Sequence, residues 1–295
     1  MTPNLELAKI RDFGEIVGDS FLFLRQNFKP LLRTFFTFCG FFVLASIVTA
    51  IVQQLNMREI VGNIEPGSYN STLNNIRQLS TFGITAILNI IFLLLTYTSI
   101  PVTILSYIVL YKEKGNTAPT NEEMWGYFKY YYLKILGAVI LNGIILVIGL
   151  VFCILPFFWL YPIVSLILPI IVMENASYGY SFNQAFRLVK DNWWTTFGAM
   201  FVMGIIVGVA GAIVTVPASL WNQISLISHW PGGKIAAVLT AILSHVALVL
   251  YILPVITLAL CYFSLNEGKE ATGLMARIDR IGETDSKPNL PTEEY

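Results

Sequence analysis

Charge is what this chain of 295 residues has least of. Lys and Arg number 18, Asp and Glu 18, so 12% of the side chains are charged and the formal net charge is zero. A soluble domain carries about 25% charged residues. With half that share and a mean hydropathy of +0.68, too little polar surface exists to cover a globule in water, and a soluble enzyme is excluded. The pI of about 6.7 offers no basic face, which excludes nucleic acid as a partner. Histidine is scarcer still, with only His229 and His245. Cys39, Cys153 and Cys261 lie far apart in apolar runs, without C-x-x-C spacing. Such a set cannot furnish an ordinary zinc or iron site; no metal and no cofactor are expected. The cysteines read as membrane-buried packing residues rather than a disulfide framework. Also missing are a nucleophile–base motif, a P-loop and a glycine-rich dinucleotide fingerprint. No catalytic residue is assigned, and the chain is expected not to be an enzyme. No secretory signal is read before the first apolar run, which starts near Leu31.

What the chain has is long apolar runs, and a span needs about 20 such residues. Six qualify, at about 33–55, 81–111, 134–155, 158–175, 196–219 and 235–265, none with a charge near its middle. The fold class expected is an all-α membrane protein with six transmembrane helices. Leu155-Pro156-Phe157-Phe158 is read as a tight connection between the third and fourth. Segments 1–33, 112–134, 176–195 and 266–295 hold 15 of the 18 basic residues; Arg58, Arg77 and Lys234 fall on the other side. That asymmetry predicts cytoplasmic termini. Trp159, Tyr161, Trp221 and Trp230 suit an aromatic belt at the far interface, and Trp125, Tyr130 to Tyr132, Trp193 and Trp194 one at the near interface.

The spans fall into three pseudo-repeats, about 12–111, 120–175 and 180–265. Each is expected to hold an interfacial amphipathic helix and two spans, the second kinked by proline. The amphipathic stretches share a mark: Phe21-x-x-x-Arg25-x-Asn27, Trp125-x-x-x-Lys129-x-Tyr131 and Phe186-x-x-x-Lys190-x-Asn192. A second mark is Pro101, Pro169 and Pro254, each between branched apolar residues in an even-numbered span. Ser99, Thr103, Ser106 and Thr257 are near enough to re-satisfy the carbonyls that such prolines free. Thr120 and Glu123 read as a capping box. Gly143, Gly204-x-x-x-Gly208 and Gly211 read as close helix contacts. Residues 1–282 form one membrane domain, with a short amphipathic piece at 271–282 and a disordered tail at 283–295.

Arg25, Lys129 and Lys190 are the candidates for contact with lipid head groups or for fixing topology at the interface. Inside the membrane the polar candidates are His245, Asn89 and Asn142. An intramembrane ionisable group suggests function by default, yet His245 has no charged partner in another span. Interhelical hydrogen bonding is the plain reading of both asparagines.

Asp12-Phe13-Gly14-Glu15-Ile16-Val17-Gly18-Asp19-Ser20-Phe21 with Arg25-Gln26-Asn27-Phe28-Lys29-Pro30-Leu31-Leu32, the third unit from Ser181-Phe182 to Asn192-Trp193-Trp194, and Gly273-Leu274-Met275-Ala276-Arg277-Ile278-Asp279-Arg280-Ile281-Gly282 carry a resemblance. The chain resembles the membrane domain associated with bacterial glycerophosphodiester phosphodiesterases, as in stand-alone Bacteroidota inner-membrane proteins. The resemblance implies a six-span helical fold in the bacterial inner membrane and little about activity; the diesterase chemistry of the fused proteins belongs to a separate soluble domain. The leading expectation is a non-enzymatic accessory or scaffolding subunit of a larger membrane complex, for example a translocase, with membrane lipids and other membrane proteins as partners. The alternative is a transporter or binder of lipid or a hydrophobic small molecule. Its cavity would be lined by Asn89, Asn142, His245 and the hydroxyls of span two.

Overall fold

The computed structural model describes residues 5–62, 69–152, 154–228 and 232–270. The amphipathic piece and the tail expected after residue 270 lie outside the described residues, as do Cys153 and His229. Among the described residues the protein is all helical. Helix α1, Phe13–Gln26, opens on a reciprocal cap: Glu15 N donates to Asp12 Oδ1 at 2.7 Å and Asp12 N to Glu15 Oε2 at 3.1 Å. Two backbone donors that a helix start leaves free are satisfied this way. Asn27 ends α1, its Nδ2 donating to Phe23 O at 3.2 Å while its Oδ1 accepts from Tyr107 Oη at 3.1 Å. Helices α2, Phe28–Gly62, and α3, Tyr69–Glu113, follow. Next come α4, Asn121–Phe152, opened by the expected Thr120–Glu123 box, and α5, Ile154–Met173. Ser177 caps the short α6, Tyr178–Val189, and α7 runs over Trp193–Ile227. Gly232, at φ +86°, makes the left-handed turn into α8, Gly233–Val246. A 3₁₀ segment, Ala247–Tyr251, links α8 to α9, Ile252–Glu270.

Six helical stretches are long and apolar enough to cross a membrane: Phe28–Val61, Leu79–Glu113, Asn121–Phe152, Leu155–Met173, Trp193–Ile227 and Gly233–Lys269. By length and composition this is a polytopic membrane protein.

Three local expectations change. The second amphipathic stretch is not a separate helix but the first turns of α4, which runs unbroken through Lys129. Asn27 interrupts the first unit and Lys190-Asp191-Asn192 the third, whereas nothing between Trp125 and Ile135 opposes the helix. The sixth apolar run is not one α-helix. Pro254 lacks an N–H and its ring crowds the carbonyl of Leu250, and the turn before it tightens to 3₁₀. Pro101 and Pro169 instead sit inside helices assigned without interruption. The hydroxyls expected to serve the freed carbonyls go elsewhere: Ser99 to Thr96 O, Thr103 to Cys39 Sγ, and Thr257 to Leu253 O and Ser20 Oγ. Ser106 Oγ is buried without a partner among the described residues.

Three helical hairpins organise the packing, α2 on α3, α4 on α5, and α7 on α8. Helix α1 lies against α7 and α9, and α2 also packs on α8. An aromatic row joins α2 to α4: Phe38 meets Trp125 and Phe128 at centroid distances of 6.2 and 5.3 Å, and Phe42 stacks on Tyr132 at 5.5 Å. Lipid tails are as apolar as these side chains, so such fitted contacts rather than water exclusion hold the helices. The bundle has a basic end, where the start of α4 and the ends of α3, α5 and α9 meet. There Tyr127 Oη donates to Glu113 at 3.1 Å, Tyr262 Oη to Glu174 at 2.9 Å, and Lys269 Nζ to Asp191 at 3.0 Å. At the opposite end α2, α7 and α8 meet around Arg58.

Candidate functional site

The three basic candidates stay apart. Arg25, Lys129 and Lys190 are all exposed, at the end of α1, early in α4 and just after α6. Each lies four residues beyond an exposed aromatic, Phe21, Trp125 or Phe186, so aromatic and cation share one outward face of their helix.

The intramembrane candidates do not converge either. Asn89 Nδ2 donates to Thr49 Oγ1 at 3.3 Å, joining α3 to α2. His245 Nδ1 lies 2.7 Å from Ala241 O in its own helix, and its Nε2 is buried without a partner among the described residues. Asn142 alone reaches a cavity. Its Nδ2 donates to Val164 O at 3.0 Å and its Oδ1 accepts from Tyr178 Oη at 2.9 Å, tying α4 to α5 and α6. A polar conduit lined by Asn89, Asn142, His245 and span-two hydroxyls is therefore not assembled. Thr96, Thr98 and Ser99 are fully buried and bond to carbonyls of their own helix.

The cavity that does exist is of another kind. It holds about 800 Å³ between α4, α5, α7 and the α8–α9 segment, and its lining is chiefly apolar. Gly143 of α4 faces it from one side; Gly204, Gly208 and Gly211 of α7 face it from the other. A Cβ at any of these four would meet nothing within 4 Å. These glycines were expected to bring helices into contact and instead border open space. The reason is the packing: α4 rests on α3 and α5, α7 rests on α8, α9 and α1, and α4 and α7 are not packed together.

Polar groups on the wall are few. Thr215, Ser165 and Ser244 donate to carbonyls one turn back, at 2.9, 2.7 and 2.7 Å, which leaves their methyl and methylene groups to the cavity. Tyr97 and Tyr251 meet edge to face at 5.4 Å. Among the described residues no Asp, Glu, Lys, Arg or His lines it. A smaller hollow of about 260 Å³, walled by Phe157, Phe201 and Ile205, shares Tyr161, Met200 and Gly204 with it. Among the described residues no three His, Cys, Asp or Glu side chains gather as metal ligands would. The arrangement suits shape-selected binding of an apolar chain: ligand pockets run to about 300–1,000 Å³ with a few placed polar groups.

Two arginines that sequence reasoning passed over are the best-held charges. Arg11, its side chain wholly buried, donates through Nε to Asp19 at 2.8 Å and through Nη1 to Leu7 O at 2.8 Å, with Nη2 on Glu6 O. Its backbone N donates to Ser264 Oγ at 2.9 Å. Arg58 Nη2 donates to Asn222 Oδ1 at 2.5 Å, Ser225 Oγ at 2.7 Å and Asn222 O at 2.9 Å. Ser264, Asn222 and Ser225 lie far along the chain from the arginines they hold, and no local pattern announces them. The glycine spacing on α7 was the one available signal for the cavity.

Comparison of the chain with protein-family models, with curated proteins and with solved structures returns no match. The resemblance to the phosphodiesterase-associated membrane domain therefore rests on the sequence motifs alone.

Proposed function

We propose that this polytopic membrane protein binds a membrane lipid, seating an acyl chain in the glycine-walled cavity between α4 and α7. The observation that carries the proposal is that four glycines face about 800 Å³ of open apolar space between two helices that do not pack on each other. A solvent of acyl chains surrounds such a site, so lipid is the occupant at highest local concentration. In this reading the protein is non-enzymatic: among the described residues the cavity wall carries neither acid nor base. The exposed pairs Phe21–Arg25, Trp125–Lys129 and Phe186–Lys190 support interfacial anchoring at one surface, and the three helical hairpins support the threefold plan. The excess of basic residues on one side supports an inner-membrane protein with cytoplasmic termini.

The test is mass spectrometry of lipids retained by protein purified in mild detergent, for wild type and Gly208→Phe. Space beside Gly208 is open, so the variant is expected to fold with an unchanged melting midpoint and to lose the retained lipid. Equal lipid retention by both proteins would overturn the proposal. The role of accessory or scaffolding subunit is decided by the same sample: a protein partner at stoichiometric yield, with lipid retention indifferent to Gly208→Phe, would replace lipid binding with that role.

A further inference from the structure

We infer that α4 and α5 form a re-entrant hairpin, entering and leaving the bilayer at the basic end, which leaves the cavity open sideways to acyl chains of the opposite leaflet. The second half of this inference rests on the lipid-binding reading; the first half does not.

The turn sequences differ first. The connection from α2 to α3 contains Asn63, Glu65, Pro66, Gly67 and Ser68, and the one from α7 to α8 contains Ser228 and Gly232. Both suit an aqueous surface. The stretch from the last turn of α4 into the first turn of α5 reads Leu150-Val151-Phe152-Cys153-Ile154-Leu155-Pro156-Phe157-Phe158, without one hydrogen-bonding side chain apart from the thiol. Val151, Phe152 and Leu155 are also 77%, 83% and 76% exposed. Apolar side chains so bare require lipid around them, not water.

Position then decides. Leu155 and Trp159, at the start of α5, border a cleft with Lys190, Asp191 and Trp193. Trp193 Nε1 donates to Trp159 O at 3.1 Å, and the rings of Phe158 and Phe197 lie 6.1 Å apart. Asp191 is paired with Lys269, so this is the basic end of the bundle. The other end of α5 is there too: Glu174, one residue past the helix, accepts from Tyr262 Oη at 2.9 Å. Helix α7 has 35 residues and is about 52 Å long at 1.5 Å per residue. It carries on to Asn222 and Ser225, where Arg58 holds it to α2. Leu155, Phe157 and Phe158, at the start of α5, border hollows with residues of α7 between Trp193 and Ile205. A helix of 20 residues, with both ends at one end of the bundle, lies across the bilayer normal rather than along it.

Backbone in lipid must have its hydrogen bonds satisfied, and this turn has few to satisfy. A single residue separates α4 from α5. Pro156 stands among the first residues of α5, where N–H groups have no helical partner, and it carries no N–H. Deeper along α7, Gly208, Gly211 and Thr215 border the cavity across from Gly143 and Leu146 of α4, a helix with which α7 is not packed. That gap opens toward the leaflet at the Arg58 end.

The test is thiol labelling in sealed vesicles, in a Cys153→Ala chain whose remaining Cys39 and Cys261 are buried. Single cysteines replace Leu155, Lys129 at the basic end, and Ser228 at the opposite end. A membrane-impermeant maleimide is expected to label Lys129→Cys from one side and Ser228→Cys from the other. Leu155→Cys is expected to escape the reagent on the Ser228 side entirely. Labelling of Leu155→Cys from that side, at the rate of Ser228→Cys, would overturn the hairpin. For the leaflet, a dye on Thr215→Cys is expected to be quenched by spin-labelled acyl chains in the Ser228-side leaflet and not by those in the other. Quenching from the Lys129-side leaflet alone would overturn that half. Neither outcome depends on the lipid retained in detergent, so the two proposals fail separately.

Discussion

Single side chains at the two ends carry unequal weight. Arg11 has a wholly buried side chain and one counter-charge, Asp19, whose own side chain is 22% exposed. Asp19→Asn leaves the guanidinium buried with no counter-charge, and losing one member of a buried pair costs about 3 kcal/mol. We predict a lower denaturation midpoint for Asp19→Asn in detergent; an unchanged midpoint would show that the carbonyls of Glu6, Leu7 and Lys9, which also accept from the guanidinium, suffice. At the other end Gly233 sits so close to Arg58 that a Cβ would lie 2.1 Å from Nη1 and 3.2 Å from Ser225 Oγ. Gly233→Ala therefore displaces Arg58 from Asn222 and Ser225, a loss of about 1.5–3 kcal/mol for charged hydrogen bonds. The same denaturation series measures it, with Arg58→Ala as the comparison. Glu15 provides a pH dependence. Its carboxyl is held below the usual 4.5, first by the hydrogen bond from Lys9 and then by the backbone N–H of Asp12. A lowered carboxylate pKa stabilises fully above 4.5 and loses that contribution as pH falls through the lowered value. Protection factors of the amides in the first turn of α1, taken against intrinsic exchange at each pH, are expected to fall below pH 4.5, and Glu15→Gln to remove that dependence.

At the scale of the helix, hydroxyl contacts inside the bundle are expected to matter little one at a time. Thr257 Oγ1 bridges α9 to Ser20 of α1 at 2.9 Å, and both side chains are fully buried. Interhelical hydrogen bonds in membranes average about 0.6 kcal/mol. Thr257→Val should thus shift the midpoint far less than Asp19→Asn; a comparable shift would mean that α1 docks on α9 chiefly through that pair. Apolar period and length made every long helix legible in the sequence, and Thr120 with Glu123 announced the start of α4. The separateness of the amphipathic stretches was less legible, because it depends on breakers. Asn27 and Lys190-Asp191-Asn192 interrupt the chain, while Gly126 and Gly137 do not. Nor did the three prolines behave alike. Only at Pro254 does the helix leave α register, although the flanking residues Leu253 and Val255 are no different in kind from those around Pro101.

For the whole molecule, sequence spacing showed the glycines of α7 but not what they face. Whether a small-residue stripe closes on a neighbouring helix or borders a void depends on where α4 is carried by α3, and that is a tertiary outcome. The same holds for Asn142, a polar residue within an apolar run, which reaches the cavity wall because Val164 and Tyr178 fix it there. Arg58 and its partner Asn222 are separated by 164 residues, and Arg11 and Ser264 by 253. At 5–20 residues per second a ribosome needs on the order of ten seconds or more to supply the second member of either pair. During that interval the first helices sit in the membrane with the Arg58 guanidinium and the Arg11 backbone N–H unmatched, and neither end of the bundle can close before Asn222 and Ser264 arrive. A chain truncated before Asn222 should therefore be recognised by quality-control proteases as an open assembly, however well its first hairpin has inserted.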